Sequence, residues 1–99
     1  MTNRNEINRL AEIELKEAND TYPLFHSQHE AYAVLKEEVE EMCEEAEKCQ
    51  EHLKDIWRST RGDFGCDYLL QQLRGRAVYV VQEAIQVIAM CDKALQSLK

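Results

Sequence analysis

SQHEAYAVLKEEVEEMCEEAEKCQEHLKDIWRS, residues 27–59, decides the fold. Its apolar positions Tyr32, Leu35, Val39, Met42, Ala46, Cys49, Leu53 and Ile56 step by three and four without a slip, the spacing that puts side chains on one side of an α-helix. Ser27 followed by Glu30 spells a capping box, in which the hydroxyl and the carboxylate satisfy backbone amides at a helix start. The pattern fails at STRGDFG, residues 59–65, where two glycines and Asp63 interrupt it. A helix of this span is roughly 50 Å long, and a bend in its last third is expected.

Residues 67–98 carry a second long pattern. Leu70, Leu73, Ala77, Val80, Ala84, Val87, Cys91, Ala94 and Leu98 form one stripe, and Leu69, Val78, Val81, Ile85, Ile88 and Leu95 add a flank. A helix apolar over so much of its circumference needs neighbours on more than one side. Gly75 interrupts it and is expected to mark a bend or a close approach. A shorter amphipathic helix is expected over residues 5–17, with Ile7, Leu10, Ala11 and Ala18 on one side. Between it and residue 27, Pro23 biases Tyr22 toward extended geometry, and Leu24 and Phe25 stay exposed unless they dock.

The fold class that follows is all-α, one domain over residues 1–99, with a short first helix and two long ones. A chain of 99 residues buries a modest share of its surface alone. The four-helix cores are therefore expected to be completed by homo-oligomerisation, as a homodimer or homotetramer.

The formal net charge is -7, and seven glutamates lie in the eleven residues 37–47, so the rest of the chain balances to neutrality. An acidic chain is a poor partner for a phosphate backbone or an anionic membrane, so nucleic acid and membrane are excluded as main ligands. The opening MTNRNEINRL has no apolar run of signal-peptide length, and no segment reaches the roughly 18 unbroken apolar residues of a membrane span. The expected setting is cytoplasmic. Cys43, Cys49, Cys66 and Cys91 form no CxxC pair and read as reduced, structural thiols.

On a helix, Glu38 and Glu45 flank the apolar stripe, Glu41 lies further round the same side, and Glu37 and Glu44 point nearly opposite. The central part of the last helix contains one acid, Glu83, with Gln86 one turn on. A carboxylate among so many apolar neighbours needs a partner. If the long helices pack antiparallel, Glu38, Glu41, Glu83 and Gln86 converge as an oxygen cage, a donor set suited to Mg²⁺ or Mn²⁺.

EEVEEMCE followed about forty residues later by EAIQVI resembles the MazG-type all-α nucleoside triphosphate pyrophosphohydrolases, whose signature is EExxE on one helix and ExxD on a later one. The likeness is to a short, phage-type branch and covers residues 25–96. It implies that EExxE falls on Glu37, Glu38 and Glu41, and ExxD on Glu83 and Gln86. It further implies that Mg²⁺ is held by the ExxE and ExxD carboxylates while water converts a nucleoside triphosphate to monophosphate and pyrophosphate. In such a site a spare carboxylate, such as Glu37, is expected to accept the water's proton. Gln86 departs from the pattern by replacing an aspartate with a neutral amide, which removes one charge.

Competing readings remain. A glutamate run on a helix is ordinarily a solvated face, and Gln86 fits a degenerate module that binds nucleotide or a protein without hydrolysis. A coiled-coil assembly protein explains the spacing but leaves Glu83 without a role. Lys36, Lys54, Arg58, Arg61, Arg74 and Arg76 are all candidates to face phosphate; Trp57, Tyr32, Tyr68 and Tyr79 read as core or subunit packing, with Tyr79, one turn before Glu83, the first to test for stacking on a base.

Overall fold

The computed structural model describes residues 3–99; Met1 and Thr2, at the head of the segment read above for a signal peptide, lie outside the described residues. It comprises three helices, α1 (Arg4–Thr21), α2 (Gln28–Arg61) and α3 (Asp67–Ser97), with no strand among the described residues. None of the helices is long and apolar enough to cross a membrane.

Helix α1 extends four residues beyond the expected end at residue 17. Nothing from Ala18 to Thr21 opposes helical geometry, and the Pro23 restriction reaches back only to Tyr22, which is extended at φ -129 and ψ 149. Helix α2 starts at Ser27, whose Oγ accepts from the Glu30 N–H at 3.1 Å. The reciprocal half of the capping box is displaced by one residue: Glu30 Oε2 accepts from the His26 N–H at 3.3 Å and lies 3.1 Å from His26 Nδ1. Helix α2 is unbroken to Arg61, where Asp63 takes a left-handed conformation (φ 59) and the Phe64 N–H donates to the Ser59 carbonyl at 2.8 Å. Helix α3 runs unbroken through Gly75, and a Cβ there would meet nothing within 4 Å. The close approach expected at this glycine is absent.

Helix α3 is the centre of the fold. Helices α1 and α2 each pack along it rather than along each other. Glu45 pairs with Arg76 while Ala31 clusters with Ala94, so α2 is antiparallel to α3; Glu14 meets Gln86 and Asn19 meets Gln96, so α1 is parallel to it. The core is concentrated where the end of α1, the start of α2 and the end of α3 meet. Phe25, Ala31, Ala89, Met90 and Ala94 are buried there, with Leu15, Ala18, Val34 and Leu35 packed around them. Phe25 thus docks while Leu24 stays exposed. The Phe25 N–H donates to Ser97 Oγ at 2.9 Å, and the ammonium of the buried Lys93 sits 5.0 Å from its ring centroid.

The stripe on α2 is split by this packing. Leu35, Met42, Cys49 and Ile56 are half-buried, whereas Tyr32, Val39, Ala46 and Leu53 are exposed. An apolar stripe this wide exceeds what one neighbouring helix covers, and α3 takes only its inner edge. The same rotation brings Glu38, Glu41 and Glu45 to the side facing α3.

Candidate metal centre

Glu38 and Glu41 come from the middle of α2, one turn apart, and Glu83 from the centre of α3. One carboxylate oxygen of each lies within 4.8 Å of the others, and all three side chains are half-buried. Antiparallel packing sets this meeting: it lays the middle of α2 beside the centre of α3, and sequence supplies carboxylates on both.

The cost of the arrangement shows in the acids themselves. Burial pushes the Glu38 carboxyl above its ordinary range, and the charges of Glu41, Glu83 and Glu37 push it further. Burial likewise raises Glu83, followed by Glu41 and then Glu45. Three carboxylates so close, each partly withdrawn from water, gain from protonation or from a cation. Their donor atoms are hard oxygens, the kind that could hold a divalent cation.

Gln86 stands apart from this trio. Its Nε2 donates to Glu14 Oε2 of α1 at 2.7 Å, so the amide nitrogen is directed to α1 rather than to α2. Adjacent turns of α3 therefore serve two neighbours: Glu83 faces the α2 acids and Gln86 faces Glu14. Glu37 is exposed, close enough for its charge to act on Glu38.

Cations lie one turn beyond the trio. Glu45 accepts from Lys48 Nζ at 3.2 Å and from Arg76 at 3.4 Å, and the Arg76 guanidinium also sits 5.9 Å from the centroid of the Tyr79 ring. Among the candidate bases read from sequence, Arg76 is the one tied to a carboxylate beside the trio. Lys36 pairs with Glu40 and Arg58 with Asp55, along α2 itself. Arg74 lines a groove of about 790 Å³ between α1 and α3, whose walls include Leu10, Ile13, Val78, Val81 and Ile85, with Glu14 and Gln86 among its polar groups.

Sequence reasoning missed Glu14 and Lys48. Lys48 had a readable signal, three residues after Glu45, while Glu14 had none, because its meeting with Gln86 depends on how α1 docks. His26 is held by Glu30 at the start of α2, and His52 is half-buried. All four cysteines are free thiols, Cys43 and Cys91 exposed.

Compared with known proteins, the chain matches no family model, no curated protein and no solved structure.

Proposed function

We propose that this chain is a Mg²⁺-dependent nucleoside triphosphate pyrophosphohydrolase, a hydrolase producing monophosphate and pyrophosphate in nucleotide-pool sanitation. The observation that supports the reading is the meeting of Glu38, Glu41 and Glu83 from two helices within 4.8 Å. Solvated glutamates on one helix repel and spread; these meet across a helix interface, where burial and neighbouring charge hold the Glu38 and Glu83 carboxyls above their ordinary range. Glu38, Glu41 and Glu83 would hold Mg²⁺, which when bound neutralises phosphate charge and acidifies water. Glu37, exposed beside Glu38, accepts the water's proton. Arg76 and Lys48, sharing Glu45, are placed to swing onto phosphate oxygens, and Tyr79 under Arg76 offers a face for the base. The working form is a cytoplasmic homodimer or homotetramer whose four-helix cores are completed between copies.

The test is a panel of ribo- and deoxyribonucleoside triphosphates assayed with Mg²⁺ and with Mn²⁺. The expected result is release of pyrophosphate rather than orthophosphate, abolished by Glu38→Gln and by Glu83→Gln. No cleavage across the panel rejects the reading.

One observation favours a second reading. Gln86 brings no charge and commits its amide nitrogen to Glu14, which suits a degenerate module that binds nucleotide without hydrolysing it. That reading requires nucleotide binding without turnover in the wild type.

A further inference from the structure

The groove between α1 and α3 adjoins the acidic trio, because Glu83 belongs to both. Its volume of about 790 Å³ lies within the range of small-molecule sites, which are mostly apolar with a few polar groups that fix orientation. Leu10 and Ile13 from α1, with Val78, Val81 and Ile85 from α3, supply the apolar walls.

One polar pair in this lining has hydrogen-bonding capacity left over. Glu14 Oε2 accepts from Gln86 Nε2 at 2.7 Å, and Glu14 forms no ion pair among the described residues. Neither Glu14 Oε1 nor Gln86 Oε1 accepts a hydrogen bond from any described residue. A carboxylate only accepts, and the amide has one of its two N–H donors committed, so the pair offers two acceptors against a single donor. This end of the groove is also negatively charged. It repels phosphate and suits a neutral group that brings donors of its own.

We propose, resting on the hydrolase reading for the phosphate end, that the groove takes the nucleoside of the triphosphate and that Glu14 and Gln86 select guanine. The phosphates stay with the cation at Glu38, Glu41 and Glu83, and the groove is the apolar space that Glu83 borders on its other side. Guanine is the common base whose pairing edge carries two adjacent donors, N1–H and the 2-amino group. Adenine and cytosine set a donor beside an acceptor there, and uracil and thymine set a donor between two acceptors. An acceptor-rich wall therefore satisfies guanine and leaves the other bases with an acceptor facing an acceptor, which costs the unmade bonds.

The placement along α3 agrees. Tyr79, Glu83 and Gln86 fall at i, i+4 and i+7, on one side of the helix, so a base stacked on Tyr79 lies on the side that carries Gln86. Gln86, which brings no charge to the metal, reads the base instead, and α1 enters the site through Glu14.

Calorimetric titration of GMP and of IMP into the purified chain with Mg²⁺ reads base binding without turnover. IMP differs from GMP only in lacking the 2-amino group. The wild type is expected to bind GMP roughly tenfold to a hundredfold more tightly, the scale of one hydrogen bond to a charged group. Glu14→Gln is expected to remove that difference. Val78→Trp, which fills the groove from an exposed position, is expected to lose both ligands while circular dichroism shows the helices intact. Equal affinity for GMP and IMP, a preference that survives Glu14→Gln, or no binding of GMP overturns the proposal. Pyrophosphate release from triphosphates, measured in parallel, keeps the two readings apart. Release without a guanine preference removes the base assignment and leaves the hydrolase, whereas a GMP preference without release removes the hydrolase and leaves the groove.

Discussion

Gln86 on α3 and Glu14 on α1 are joined by a 2.7 Å hydrogen bond, one turn from the Glu83 carboxylate that faces α2. A carboxylate only accepts, so the Gln86 amide must turn its nitrogen to Glu14. This links the short first helix to the residue that departs from the ExxD pattern.

Gln86→Asp, which restores that pattern, removes the donor from Glu14 and sets a second negative charge against it. Without a cation, the variant is expected to lose about 1 kcal/mol, the scale of a part-buried hydrogen bond left unmade. Adding Glu14→Gln is expected to recover much of that loss. Thermal unfolding of the two single variants and the double variant measures the coupling, and additive losses would show the pair to be independent.

The raised carboxyls give a pH dependence whose sign is fixed. A carboxyl that binds its proton more tightly in the folded chain contributes stability at low pH, and that contribution is lost as pH rises through the raised folded value. In the absence of divalent cations, Glu38→Gln is therefore expected to be more stable than wild type at pH 7. Screening at these half-exposed positions keeps the gain to about 0.5 kcal/mol, or roughly 2–4 °C in Tm. The difference is expected to vanish near pH 3, well below the ordinary carboxyl value of 4.5, where the carboxyls are protonated in both states. Melting curves at the two pH values check it.

Gly75 lies inside α3 with open space where a side chain would go. Gly75→Ala is expected to raise stability by roughly 0.5–1 kcal/mol through helix propensity alone. Chemical denaturation decides the matter: a loss of stability would show that this position is covered by something the isolated chain lacks.

The helices were legible because their signals are local. The spacing along residues 27–59, the Ser27 cap, the Pro23 restriction and the glycines after residue 61 each act within a few residues, and the structure follows them. Helix α1 overran its expected end because no breaker precedes Tyr22. The meeting of Glu38 and Glu41 with Glu83 was legible at one remove, given antiparallel packing. What the sequence hid depends on docking. Periodicity gives the direction of an apolar stripe but not which edge a neighbour takes, so the exposure of Val39 and Leu53 was not readable. The burial of Lys93 over Phe25 and the Glu14 contact with Gln86 arise from segments more than sixty residues apart, and nothing local signals either.

The central claim is that carboxylates from α2 and α3 share one divalent ion, and calorimetric titration of Mn²⁺ and of Mg²⁺ into the purified chain tests it most directly. The account predicts one site per chain, filled at cellular Mg²⁺ levels, which Glu83→Gln abolishes and Glu44→Lys leaves intact. A chain that takes up neither ion, or that binds as well after Glu83→Gln as before it, would contradict the account.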